Sequence, residues 1–142
     1  MSFLAEMGET MRCYAQFRAR RLEEYGVVGY QYLYITTLCR HPGLSQDELA
    51  EKLIFNKSSV ARQVASLEEK GFVKRRRNEK DKREMLVYPT EKAEKLVPVI
   101  SEVIREFRTR LIPQNASAEE ISACEAMLDA VRSRAKEALE EE

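Results

Sequence analysis

The apolar positions of the chain recur mostly at intervals of three and four residues, which is the spacing of one face of a helix. Leu4, Met7 and Met11 open this pattern, and it predicts a first helix over about 3–25. The same spacing returns in the next stretch and predicts a second helix over about 30–40. The protein is therefore expected to be mainly helical.

Three further helices have recognisable beginnings. Ser45 followed by Glu48 fits a capping box, in which each side chain binds a free amide of the other residue, and predicts a short third helix. A fourth helix is expected over about 57–70, since one of its faces is apolar and the rest polar. Ser117 and Glu120 repeat the capping-box pattern and predict the start of the last helix.

Between the fourth and last helices the apolar period shortens towards two, which indicates strands. Phe72 starts one arm and residues 85–88 form the other, with a highly charged tip at 78–83. Thr90 can cap the long fifth helix, whose apolar stripe runs to Leu111. The sequence thus predicts a small β-hairpin placed between helices.

This order of elements predicts a mainly α fold with a small β-hairpin wing. A short helix, a brief turn and a second helix with a polar face are typical of a helix-turn-helix, and the hairpin is its wing. We expect one domain over 1–142, with a winged helix-turn-helix core at about 30–97. The flanking helices, at about 1–25 and 98–142, are expected to form a dimer because their apolar stripes need more cover than this core provides. A monomer that folds these helices back over itself is the alternative.

Charge is distributed unevenly although the formal net charge is zero. Residues 52–83 contain eleven basic and four acidic side chains, whereas residues 117–142 contain eight acidic and three basic ones. A basic middle and an acidic end are expected of a protein that places one part on a polyanion. A solvated surface without a partner would also give this distribution.

The helix-turn-helix and the charge together predict binding to double-stranded DNA, with the fourth helix in the major groove. Arg62 suits bidentate contact with guanine, and the wing tip suits the DNA backbone or the minor groove. The alternative is a winged helix that binds proteins and not DNA, which predicts a neutral or apolar exposed face on the fourth helix. The residues expected to contact DNA are Ser45, Gln46, Lys57, Ser58, Ser59, Arg62, Gln63, Ser66, Arg77, Lys80, Lys82 and Arg83.

The run GLSQDELAEKLIFNKSSVARQVASLEEKGFVKR, followed by DKRE, resembles the winged-helix core of MarR-family transcriptional regulators. The resemblance covers about residues 42–96 and implies a homodimer formed through helices 1, 5 and 6. It also implies that Asp81 pairs with Arg83 to shape the wing, and that the protein is a repressor released by a small molecule. Ala93 departs from the glycine that family members often have, which a helix accommodates well.

The resemblance further suggests where such an effector could bind. A small aromatic or lipophilic molecule would meet a pocket that includes Tyr25, Tyr30 and Tyr34, although core packing also explains tyrosines in these positions. Cys13 lies on the first helix, where some family members carry a peroxide-sensing thiol, so a thiol-based regulator is a further alternative. Packing is the ordinary role of a helical cysteine.

Several classes of function are not expected. With one histidine, five glycines and no phosphate-binding glycine loop, the sequence has no catalytic constellation, so we expect no enzyme and no cofactor. Three widely spaced cysteines do not form a zinc or disulfide pattern. No apolar run approaches the roughly 20 residues of a membrane span, and we expect a cytoplasmic protein.

Overall fold

A computed structural model describes residues 2–142 of the chain. Within this range there are six α-helices, in the order and number that the apolar spacing predicts, and a short 3-10 turn, Glu23–Tyr25, follows the first of them. The helices are α1 (Phe3–Leu22), α2 (Gln31–Arg40), α3 (Gln46–Leu53), α4 (Lys57–Glu69), α5 (Glu91–Leu111) and α6 (Ala118–Glu140).

The sheet has three antiparallel strands, one more than the predicted hairpin. They are β1 (Leu44–Ser45), β2 (Val73–Arg77) and β3 (Met85–Pro89), and β3 lies between the other two. Strand β1 pairs with β3 through Leu44 opposite Val87. The base of the wing is therefore joined to the beginning of α3.

The predicted helix starts are confirmed in their hydrogen bonds. Ser45 Oγ accepts from Glu48 N at 3.0 Å, and Glu48 Oε1 accepts from Ser45 N at 3.1 Å. Ser117 and Glu120 make the same reciprocal pair, with distances of 3.1 Å in both directions. Thr90 Oγ1 lies 3.4 Å from the amide of Ala93, in the first turn of α5. Each pair satisfies amides that have no partner inside the helix.

Residues 2–105 form one packed unit around an apolar core. Leu38 of α2, Leu49 of α3, Val64 of α4, Val87 of β3 and Ile100 of α5 are all completely buried there. Burying a Leu or Ile side chain contributes about 1.5–3 kcal/mol, so each element is held to the core by its apolar stripe. The core positions α4 and the wing on the same unit.

The turn between α3 and α4 contains a strained residue. Ile54, which ends α3, has φ of 61°, in the left-handed region that β-branched residues rarely adopt. Asn56 then begins α4, and its Oδ1 accepts from Ser59 N at 2.7 Å. The tight reversal between the two helices thus depends on an unfavourable backbone at one residue and a side-chain cap at the other.

Residues 106–142 form a second unit. No residue of Ala118–Glu140 is buried in the chain, although the helix has apolar side chains along its length. Met127, Leu128 and Leu139 are largely exposed. An apolar groove of about 440 Å³ also lies within this unit, lined in part by Leu111 and Ile121.

Candidate nucleic-acid interface

The apolar stripe of α4 determines which of its side chains reach solvent. Val60, Val64 and Leu67 are buried, and this places Ser58 and Arg62 on the exposed surface of the helix. The exposed face carries polar and cationic groups, which is the character expected of a helix that enters the major groove. It is not the neutral or apolar face that a protein-binding winged helix would present.

The first turn of α4 gathers several of the predicted contact residues. Ser58 Oγ donates to the capping side chain of Asn56 at 2.9 Å, and Arg62 Nη2 donates to Ser59 Oγ at 3.2 Å. Lys57 Nζ lies 3.4 Å from Asp47 Oδ2, at the beginning of α3. Both side chains of that ion pair are largely exposed, so it contributes little stability and Lys57 remains available to a phosphate.

The structure places two of the predicted contact residues away from this exposed face. Gln63 Oε1 and Ser66 Oγ accept hydrogen bonds from Gln31 Nε2, at 3.0 and 3.1 Å. Both residues are half-buried, and they face the first residue of α2. Sequence periodicity identified them as polar positions, but it did not show which neighbour they face.

The two predicted contact residues at the beginning of α3 are also withdrawn from solvent. Ser45 is 1% exposed and its hydroxyl is used in the capping box. Gln46 is half-buried, and its Oε1 is a buried atom without a hydrogen-bond partner among the described residues. The structure therefore separates Ser45 and Gln46 from the exposed residues of α4.

The tip of the wing brings together four cationic side chains that the sequence predicted. Arg77, Lys80, Lys82 and Arg83 are all exposed, and 91% of the Arg83 side chain is accessible. Arg77 Nη1 donates to the carbonyl of Lys82 at 2.8 Å, which closes the tip. Their combined charge makes the wing tip a surface that attracts a polyanion.

Asp81 occupies the centre of the wing tip. Its Oδ1 accepts from the backbone amide and from Nε of Arg83, both at 3.1 Å. These hydrogen bonds hold the pKa of the Asp81 carboxyl below its usual value. Asp81 and Arg83 are thus paired by hydrogen bonds, as the resemblance implies.

Strand β2 adds cationic residues that the sequence pattern did not indicate as DNA contacts. Lys74 and Arg76 are exposed, while Arg75 is turned inward and bound to Glu68 at the end of α4. The uninterrupted basic run 74–77 could have revealed them. Alternate side chains of a strand point to opposite faces, so a basic strand exposes part of its charge.

The three tyrosines of the predicted effector pocket do not meet in one place. Tyr34 is buried and its ring stacks on Phe55 at 6.0 Å, and Tyr30 contacts the same ring from the surface at 5.3 Å. Tyr25 lines a different cavity, of about 410 Å³, together with Phe72. The structure brings Tyr30 and Tyr34 together and places Tyr25 elsewhere.

A buried arginine, which the sequence did not single out, lies among other tyrosines. Arg18 is 4% exposed, and its guanidinium carbon lies 4.3 and 4.4 Å from the ring centroids of Tyr14 and Tyr32. The ring centroid of Tyr30 lies 5.7 Å from the same carbon. Arg18 Nε and Nη1 are buried and have no hydrogen-bond partner among the described residues. Such unpaired buried donors are rare and call for an explanation.

The same environment affects Tyr32. Burial raises the pKa of Tyr32 to about 12, and neighbouring Tyr14 adds to the effect while the charge of Arg18 opposes it. The Tyr32 phenol therefore stays neutral at physiological pH, and it does not compensate the charge of the guanidinium.

The cysteines remain free thiols. Cys13 and Cys124 are exposed, and Cys39 is half-buried with a thiol pKa raised by burial. Residues 2–142 contain no cluster of three or more side chains suited to a metal ion. Within the same residues, no helix is long and apolar enough to cross a membrane.

The fold and this surface define a winged helix-turn-helix protein, with α4 as the recognition helix and β2 and β3 as the wing. The model of the MarR family matches residues 30–85. The chain belongs to the MarR family and is a DNA-binding transcriptional regulator, not an enzyme.

Individual relatives agree with this assignment. The HTH-type transcriptional regulator YybA of Bacillus subtilis is 28% identical, over 91% of this chain and 85% of its own. The HTH-type transcriptional regulator YwoH of the same organism is 31% identical, over 75% and 77%. The crystal structure of the transcriptional regulator SlyA is 28% identical, superposes with a TM-score of 0.88, and matches 96% of both chains.

Proposed function

We propose that the chain is a cytoplasmic homodimeric repressor that reads a pseudo-palindromic operator and is released from it by a small aromatic carboxylate. The observation that carries the DNA-reading part is the position of Arg62, which is exposed on α4 in the same packed unit as the cationic wing. Arg62 contacts a guanine in the major groove, Ser58 and Lys57 contact neighbouring groups, and the wing tip follows the backbone or the minor groove.

The proposed dimer is supported by the unburied apolar side chains at both ends of the chain. Leu128 and Leu139 of α6 are exposed, and so are Phe3, Leu4 and Met11 of α1. Apolar surface of this extent needs cover, and a two-fold axis through α1, α5 and α6 would supply it. Two recognition helices about 34 Å apart would then read two half-sites separated by one turn of DNA.

Selection of bound duplexes from a random library, at near-physiological salt, tests this part of the proposal. The solution mass of the protein, measured in parallel, gives its oligomeric state. A pseudo-palindrome enriched by a dimer is the expected result. Weak, salt-sensitive binding without enrichment would contradict the proposed reading of an operator and favour a protein-binding winged helix. A monomer that still selects one half-site would contradict only the proposed dimer.

The proposed effector class rests on Arg18. Its unpaired buried Nε can donate to a carboxylate oxygen, the charge of a carboxylate would compensate that of the guanidinium, and the neighbouring rings of Tyr14 and Tyr32 suit an aromatic body. Tyr30, which is half exposed, gives access from solvent. Tyr30 also contacts Phe55 in the turn before α4, so displacing its ring would disturb the recognition helix. Tyr34, on the other side of Phe55, supports that contact.

Benzoate is a suitable probe for this site, and calorimetry measures its binding directly. We expect binding to wild type and its loss in Arg18→Met, while Arg12→Met, a change at an exposed arginine of the same helix, keeps it. Benzoate should likewise release the operator from wild type and from Arg12→Met but not from Arg18→Met. Unchanged benzoate binding in Arg18→Met would contradict the assignment. Operator release by peroxide that requires Cys13, and no release by benzoate, would establish the thiol-based alternative instead.

A further inference from the structure

Gln31, the first residue of α2, uses its whole amide in buried hydrogen bonds. Its side chain is 2% exposed. Oε1 accepts from the backbone amide of Val28 at 3.2 Å and from Lys70 Nζ at 2.9 Å, and Nε2 donates to Gln63 and Ser66 at 3.0 and 3.1 Å. An amide side chain offers two donors and one acceptor oxygen with two lone pairs, so its hydrogen-bonding capacity is filled.

Three of these four partners lie along one side of α4 and its end. Gln63, Ser66 and Lys70 are spaced three and four residues apart, which places them in one row at 3.6 residues per turn. Lys70 Nζ also donates to the carbonyl of Gly26 at 2.7 Å. A continuous polar network therefore joins the end of the 3-10 turn that follows α1, the start of α2 and the recognition helix.

This row complements the apolar stripe of the same helix. The contacts of Val60, Val64 and Leu67 hold α4 against the core, but apolar contacts are non-directional and leave some freedom of rotation about the helix axis. Hydrogen bonds have preferred angles, and leaving a buried polar group unpaired is costly. Gln31 therefore restricts the rotation that the apolar contacts leave open.

We propose that Gln31 is a positioning residue that sets the rotation of α4 and thereby the direction in which Arg62 points. Gln63, next to Arg62 in the chain, serves as the acceptor for Gln31 and not as a base contact. This inference rests on the proposed reading of an operator by Arg62. It assigns base discrimination partly to a residue that does not touch DNA.

The test compares affinity for the selected operator with affinity for random duplex, at a temperature where every variant is folded. Gln31→Met keeps the length of the side chain and removes all four hydrogen bonds. We expect the ratio of the two affinities to fall by about tenfold or more, with nonspecific affinity unchanged because the wing still binds phosphates. Gln16→Met, a change at an exposed glutamine of α1, is the matched control and should keep the ratio.

A second arm separates positioning from general weakening of the fold. If Gln31 acts through Arg62, Gln31→Met should cause little further loss of discrimination in a chain that already carries Arg62→Ala. A purely structural effect would add fully to the loss in that background. Gln63→Met should reproduce the effect of Gln31→Met, by lowering preference at the operator position that Arg62 reads, whereas a base contact by Gln63 would lower preference at a different position.

An unchanged affinity ratio in Gln31→Met, or full additivity with Arg62→Ala, would overturn the inference while leaving the proposed function intact. If the wild-type chain prefers no sequence over random duplex, the proposed function fails and the inference fails with it. Preference for an operator by the wild type, lost in Gln31→Met and kept in Gln16→Met, establishes it.

Discussion

Glu68 and Arg75 join the end of the recognition helix to the first strand of the wing through three hydrogen bonds. Glu68 Oε2 accepts from the amide of Arg75 at 3.0 Å, and Oε1 accepts from its Nε and Nη2 at 3.2 and 2.9 Å. These bonds lower the pKa of the Glu68 carboxyl from its usual value. The orientation of the wing relative to α4 is therefore linked to the ionisation of Glu68.

The first prediction follows from that lowered pKa. Because the folded-state pKa lies below the unfolded value of about 4.3, the contribution of Glu68 to stability is complete above that value. It is lost as the pH falls through the folded-state pKa. As the pH is lowered from about 5, the free energy of unfolding measured with urea should therefore decrease less in Glu68→Gln than in wild type. Glu69→Gln, at an exposed neighbour, should behave as wild type, and an equal fall in all three proteins would contradict the prediction.

The second prediction separates base reading from phosphate binding. Arg62→Ala should cost about 1–3 kcal/mol of binding free energy on the operator and much less on random duplex. Lys82→Ala, in the exposed wing tip, should weaken binding to both and reduce the slope of log affinity against log salt by about 0.9. Fluorescence anisotropy titrations at several salt concentrations measure these quantities. Equal losses on both duplexes for Arg62→Ala would remove its base-reading role.

The third prediction concerns the two capping boxes. Ser45→Ala should lower the free energy of unfolding by about 1 kcal/mol, and Ser117→Ala should do the same at the start of α6. The preference of folded protein for operator over random duplex should stay unchanged in Ser45→Ala, because the hydroxyl is buried in its cap. A selective loss of operator affinity there would restore Ser45 as a DNA contact.

The fourth prediction uses the strained turn before α4. Ile54 is 51% exposed and has φ of 61°, so its replacement loses little apolar burial and relieves an unfavourable backbone. Ile54→Gly should raise the free energy of unfolding by about 0.5–1 kcal/mol, since the left-handed conformation costs other residues about 1–2 kcal/mol. Ile54→Val retains the β-branch and should show no gain. A thermal melt of the three proteins checks this order.

The local signals in the sequence were sufficient for most of the fold. Ser45 with Glu48 and Ser117 with Glu120 fixed two helix starts correctly, because a capping box depends on residues only three apart. Strand β1 was missed, since two residues such as Leu44 and Ser45 are too few to show a period. Its pairing with β3 is a long-range property of the fold.

The candidate site was harder to predict where it depends on tertiary contacts. The polar character of Gln63 and Ser66 was clear, but helical spacing cannot distinguish a face towards DNA from a face towards Gln31. The burial of Arg18 was not predicted, because charged residues are almost never buried without a partner. By contrast, Arg62 and the wing tip were placed correctly on the surface, because exposure is the ordinary state of isolated charges.

The absence of any buried residue in Ala118–Glu140 has a consequence for how the protein behaves at different concentrations. A helix in water gains most of its stability from packing, and no side chain of α6 is buried within the chain. If a second copy supplies that packing, mass action makes the order of α6 and the melting temperature rise with protein concentration. The abundance of the regulator would then control its own folding, so that a scarce chain is also a less structured and more easily degraded one.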